Sequence, residues 1–175
     1  MNGPGTLEWT TETGPLVAGP VADALAAWGR SDVRAAPIDP EVADTAAFCA
    51  TYGVAMEDSA NCVVIAGRRG DVTRYAACVV LAPTRADVNG IVRRRLEARK
   101  ASFAPMDEAV TLTGMEFGGI TPIGLPQSWP ILIDRAVLDR DVVVIGSGLR
   151  RSKIALPSAA LAELPGAEVV DGLAS

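Results

Sequence analysis

Apolar residues recur along this chain in two periods, and the points where the period changes divide it into elements. From 20 to 30, PVADALAAWGR sets Val21, Leu25 and Trp28 at helical spacing, with Gly29 as a stop. DVRAAPID (32–39) reads as a short strand ended by proline. Asp39 then offers a cap for a helix that runs to about Tyr52. The period next shortens. ANCVVIAG (60–67) and RYAACVVLAP (74–83) are β-rich runs separated by RRGD, which predicts a hairpin. TRADVNGIVRRRLEARK (84–100) returns to helical spacing, with Thr84 and Asp87 as candidate caps and Val88, Ile91, Val92 and Leu96 as the inner stripe.

PMDEAVTLTG (105–114) predicts a further short helix stopped by Gly114. The strand-like runs WPILID, DVVVIGSG and SKIALP follow, then a short helix in PSAALAELPG and a last strand in AEVVDGL. Residues 1–15, rich in Gly, Pro and Thr, read as a loose lead-in or a short edge strand, which leaves 16–175 as one domain. Strands and helices mix without a regular βαβ rhythm. That pattern predicts an α/β (α+β) domain around a mixed sheet flanked by helices, not a doubly wound fold.

Composition narrows the chemistry. The 175 residues suffice for one domain with a real core. Hydrophobic residues make up 49% and aromatics 5%, so that core must be built from Val, Ala, Leu and Ile. The net charge of −5 argues against a protein that grips nucleic acid over its whole surface, while leaving room for a local basic patch. Histidine is absent, which removes the usual general base and the commonest metal ligand. Cys49, Cys62 and Cys78 lie far apart in apolar contexts, as buried free thiols of a reducing compartment would. No signal pattern or membrane-length apolar run is present. The expectation is a cytoplasmic protein with no metal, no cofactor and no DNA or membrane partner.

Two glycine-rich stretches stand out. TGMEFGGITPIGLP (113–126) holds four glycines and two prolines, a combination suited to a rigid loop approached closely by a ligand or another backbone. GSGLRR (146–151) resembles part of a dinucleotide fingerprint. It sits late in the chain, however, carries Arg151 at the third glycine position and precedes a strand, so a tight hairpin turn is the reading. The basic run Arg93, Arg94, Arg95, Arg99 and Lys100, with Arg68, Arg69, Arg150, Arg151 and Lys153 at predicted turns, is a solvated face or, if these segments converge, a local anion site. Asp134, Asp139 and Asp141 read as turn formers at strand ends.

In the second half, KASFAPMDEAVTLTG, then GGITPIG, ILID, a Gly-Ser-Gly turn and KIALP resemble the YbaK/ProX-type aminoacyl-tRNA deacylases, relatives of the editing domain of bacterial prolyl-tRNA synthetases. The resemblance runs from about residue 16 and is densest from about 59 onward. It implies a partly barrel-like mixed sheet and hydrolysis, in trans, of the ester joining a wrong amino acid to a tRNA. It also implies use of the tRNA's own terminal hydroxyl or a held water in place of a protein nucleophile, so the lack of histidine is no obstacle. On that basis Gly118, Gly119 and Thr121 would form one wall of a pocket, and Gly146, Ser147 and Gly148 the opposite turn with backbone donors. Arg99, Arg150 and Arg151 would meet phosphates of the mischarged tRNA, with an aminoacyl-tRNA synthetase as a further partner.

Two positions depart from the family pattern. Asn61 stands where relatives carry a lysine, and Lys153 stands where proline-mischarging deacylases carry an aspartate. The exchange either moves one positive charge across a pocket, with Asn61 and Lys153 orienting the ester or terminal ribose, or marks loss of activity. The second case leaves a non-catalytic module that binds a tRNA, a synthetase or a nucleotide.

Overall fold

The computed structural model describes residues 3–175. Helix α1 (Gly19–Trp28) leads to strand β1 (Arg34–Pro37) and helix α2 (Thr45–Tyr52). The hairpin β2 (Ala60–Arg69) and β3 (Val72–Leu81) turns on Gly70 and Asp71. A helical turn ending in α3 (Arg93–Arg95) is followed by β4 (Lys100–Phe103) and α4 (Met106–Thr113). The chain closes through β5 (Ile131–Asp134), α5 (Arg135–Leu138), β6 (Val142–Gly146), β7 (Ser152–Pro157) and β8 (Ala167–Val170).

The expected mixed sheet is present as two sheets. One is antiparallel, in the order β1-β7-β6; the other is mixed, in the order β4-β2-β3-β5-β8. A parallel bridge between Ser59 and Val144 joins them at one end. The largest core lies where the sheets and α1 meet, and is built from short aliphatics such as Val21, Val79, Ile133, Ile145, Ile154 and Leu156. With so few aromatics, this interior is assembled from many small contacts. A second core packs Phe48 of α2 on β1, β6 and β7, and takes Leu7 and Trp9 from the N-terminal segment, where Thr10 bridges Ala35.

Two predicted helices are shorter than their patterns. Asp39 does cap, but only the 3-10 turn Pro40–Val42; Asp44 accepts from the amides of Ala46 and Ala47 and starts α2 afresh. The 84–100 run is helical only from Val88 to Arg95, and it opens with a π-turn. Asp87 caps it through Gly90 and Ile91, whereas the Thr84 hydroxyl donates to Leu81 O. Glu97, at a positive φ of 54°, breaks the run. Arg99 N then donates to Arg68 O, and Lys100 enters a strand that covers the open edge of β2. Gly90 weakens the helix where it would need to be strongest, and the unpaired strand edge takes the residues beyond Glu97.

Candidate active site

Beyond Thr113, the last residue of α4, the 114–126 stretch folds as a loop fastened to the β6–β7 turn. Glu116 N donates to Gly148 O at 2.9 Å, Gly148 N to Gly119 O at 2.6 Å, and Arg150 N to the Glu116 carboxylate at 2.8 Å. The close approach accounts for the glycines. A Cβ on Gly119 would lie 2.7 Å from the backbone C and O of Leu149, and one on Gly146 would lie 2.6 Å from Gly119 O. Gly118 adopts a φ of +89°, which side-chain-bearing residues avoid, and the Arg150 guanidinium sits over it. Two backbones therefore pack where side chains would hold them apart.

A cleft of about 410 Å³ opens beside this fastening, a size suited to a small-molecule moiety. Its walls come from both sheets. β2 supplies Asn61 and Cys62, β6 ends in Gly146, and β7 supplies Lys153; the glycine loop adds Phe117, Gly118 and Ile120. Asp44 and Thr45, at the start of α2, close another side. Phe103, Met106 and Phe117 border the cleft while 64%, 57% and 48% exposed, a concentration of large apolar groups at its mouth.

Lys153 is the buried cation of the cleft. Its ammonium donates to Ala43 O at 3.3 Å and lies 5.1 Å from the centre of the Phe48 ring. Burial pulls its pKa below the ordinary lysine value, with Arg150 adding to the fall, while Cys49 and Asp44 oppose it. A desolvated ammonium interacts strongly with any negative charge that forms nearby. Across the cleft, Asn61 Oδ1 accepts from Thr45 Oγ1 at 2.7 Å, which fixes the carboxamide. Cys62 also lines the cleft, but burial pushes its thiol far above the usual range, so it is protonated and a poor nucleophile at neutral pH.

The structure gathers Asn61, Gly118, Gly146 and Lys153 in one cavity. The other residues singled out in the sequence lie elsewhere. Gly119 and Gly148 stand behind the cleft wall, each with its amide already donating, Gly119 to Glu116 O and Gly148 to Gly119 O. Ser147 is fully buried, and its hydroxyl is shared among Leu149, Ser152 and their backbone. Thr121 is fully buried, and its hydroxyl has no partner among the described residues. Arg150 bonds Pro40 O and Phe117 O, which makes it a strap across the loop; Arg151 is exposed beside it. Arg99 lines a different groove. Asp44, Thr45, Phe103 and Met106 are cleft residues that sequence reasoning passed over. The only trace of Phe103 was its place in the KASFAP run.

Among the described residues, no group of three or more His, Cys, Asp or Glu is placed to hold a metal ion, and no helix is long and apolar enough to cross a membrane. A family model described as the aminoacyl-tRNA editing domain matches residues 39–164. No curated protein matches the sequence. Among solved structures, a candidate trans-editing enzyme for prolyl-tRNA synthetase superposes with a TM-score of 0.74 at 22% identity, over 87% of this chain and 93% of that one. The hypothetical protein APE2540 does so with a TM-score of 0.77 at 22% identity, over 89% and 99%. Part of a candidate signal transduction protein from Marinobacter aquaeolei VT8 shares the fold more distantly, with a TM-score of 0.56 at 17% identity, over 89% of this chain and 30% of that one. Identities this low speak for the fold alone.

Proposed function

The chain belongs to the aminoacyl-tRNA editing domain family, and from that premise we propose that it hydrolyses, in trans, the ester linking a wrong amino acid to the 3′ end of a tRNA. The observation that carries this reading is the cleft itself, where the buried Lys153 and the fixed Asn61 stand on two different sheets and line one cavity. The aminoacyl group enters the cleft, and the terminal adenosine rests against the exposed Phe103 and Phe117 at its mouth. An ester needs no strong nucleophile from the protein. A water held by the ribose's free hydroxyl attacks the carbonyl carbon, the carbonyl oxygen gains negative charge, the ester C–O bond breaks, and the ribose oxygen leaves with a proton that the water gives up, releasing the free amino acid. Lys153 stabilises the developing oxyanion or holds a ribose hydroxyl, which raises the rate because that interaction strengthens in the transition state. Editing of this kind serves where binding alone separates similar small side chains poorly.

Lys153 thus supplies the charge that relatives place at the position of Asn61. Replacing Lys153 by Met is expected to lower kcat by about 100- to 1,000-fold, the loss usual for one oxyanion donor. Adding Asn61→Lys to that variant should restore part of the rate. A variant that raises only KM would make Lys153 a binding contact and refute its part in the chemistry. The substitution at Asn61 also favours a second reading, a module of the same fold that binds tRNA, a synthetase or a nucleotide without hydrolysis. Deacylation by the wild-type chain separates the two.

A further inference from the structure

Away from the cleft, a groove of about 420 Å³ is lined by Arg68, Arg93, Arg99 and Lys100, with Asn89 and Ser102 between them and no carboxylate. We propose that this groove is the track for the tRNA's sugar–phosphate backbone, holding the strand that leads away from the cleft. The proposal rests on the editing reading above for the identity of the polyanion, and on three features of the groove for its existence.

The first feature is pairing. Arg30, Arg74, Arg95, Arg135 and Arg140 each bond a carboxylate. Among the described residues none of the four groove cations does, although the protein carries a net charge of −5 and has carboxylates to spare. Arg93 is oriented by its Nε donating to Asn89 O at 2.7 Å, which leaves its terminal nitrogens for a ligand. The second is register. Arg68 and Lys100 are directly opposed across the antiparallel β2–β4 pair, so both side chains leave the same face. Like charges so placed destabilise a sheet, and an anion between them turns that repulsion into attraction.

The third is position. β4 pairs only with β2 and is the edge strand of its sheet. It ends in Phe103 at the mouth of the cleft and begins in Lys100 at the groove. Three residue steps along a strand cover about 10 Å. Alternation sends Phe103 to one face, and Lys100 and Ser102 to the other. A strand leaving the cleft past Phe103 therefore crosses the β4 edge and meets the four cations on the far side. Arg150, by contrast, is held by Pro40 O and Phe117 O and has less to offer a phosphate.

The test uses unfractionated, deacylated tRNA as the probe, with the full chain and its Arg68→Ala/Lys100→Ala variant. Binding is measured by fluorescence anisotropy across a salt series. Each phosphate that is no longer neutralised should flatten the plot of log K against log salt by about 0.7 to 0.9, so the double variant should lose about 1.4 to 1.8 of slope and bind all tRNAs more weakly. Its melting temperature should hold or rise, because a like-charge pair has been removed; a weakened fold would lower it instead. Arg135→Ala, which removes a cation already bonded to Asp171, should leave the slope unchanged. An unchanged slope in the double variant, no tRNA binding by the wild-type chain, or binding of inorganic tripolyphosphate without binding of tRNA would each overturn the proposal. Ester hydrolysis is read separately. A wild-type chain that binds tRNA through the groove but cleaves no ester counts against the deacylase reading and leaves the groove standing.

Discussion

Gly119→Ala puts one methyl group into the contact that fastens the glycine loop to the β6–β7 turn. The φ of Gly119 is not in the left-handed region, so alanine brings no backbone strain, and any cost comes from contact. Its Cβ would meet the C, O and N of Leu149 at 2.7, 2.7 and 2.9 Å, all backbone atoms that cannot rotate away. The two segments must separate. Overpacking of this kind costs about 1–3 kcal/mol, and losing the Gly148 N–H to Gly119 O bond adds about 0.5–1.5 kcal/mol. The sum of about 1.5–4.5 kcal/mol corresponds to a fall in Tm of about 3–18 °C for a chain of this length. Thermal melting by circular dichroism reads it. Gly14→Ala is the control, since a Cβ there meets nothing within 4 Å, and it should leave Tm unchanged or slightly raised. Activity should fall with Gly119→Ala as well, because Gly118 and Gly146 line the cleft on either side of the contact. A Tm within about 2 °C of wild type, less than 1 kcal/mol of stability at this chain length, would mean that the two backbones are not pinned, and would remove the explanation for the glycines.

Further outcomes are expected. Phe117→Ala should raise KM for charged tRNA by about 5- to 100-fold if one base stacks there, while Tm stays near wild type because the ring is 48% exposed; an unchanged KM would take the aromatic mouth out of recognition. Arg150→Ala removes the bonds to Pro40 O and Phe117 O, so it should lower Tm by a few degrees and should affect kcat through the loop more than binding through charge. Lys153 gives opposite pH trends in activity and stability. Its folded pKa lies below the ordinary 10.5, so kcat should fall as pH rises through that lowered value. In the window up to 10.5 the unfolded chain binds more protons than the folded one, so stability should rise with pH. Cys49, Cys62 and Cys78 have raised pKa values and act with the opposite sign, so urea unfolding of wild type against Lys153→Met isolates the lysine's share. No pH dependence in that difference would show that the ammonium is not desolvated.

The β-rich runs and the hairpin were legible because short β-branched apolar runs bounded by turn residues leave few alternatives, and α1 because its apolar residues keep helical spacing up to Gly29. The 84–100 run was not. Its inner stripe reads as one helix, yet Gly90 and Glu97 confine the helix to a few residues, and Lys100 is drawn to the edge of β2, a demand set by a strand more than thirty residues earlier. That rearrangement also brings Arg93, Arg99 and Lys100 of the run to the groove beside β4, while Arg95 bonds Glu168. Among the candidate site residues, Asn61 and Lys153 could be singled out because each departs from the pattern that the resemblance implies. The glycines could be singled out as well, but not the backbone contact that requires them, since their partner Leu149 is about thirty residues away. Phe103 and Met106 carry no local signal. Their exposure at the cleft follows from where β4 and α4 come to lie.

The most direct measurement is single-turnover deacylation of a panel of tRNAs, each deliberately charged with a non-cognate amino acid, by the wild-type chain and by Lys153→Met. The expected result is rapid loss of the aminoacyl group from at least one mischarged tRNA, slow or no loss from its correctly charged counterpart, and a rate for Lys153→Met lower by about 100-fold or more. Spontaneous rates of ester loss across the whole panel, or equal rates for wild type and Lys153→Met, would contradict a deacylase whose chemistry lies in the cleft between Asn61 and Lys153.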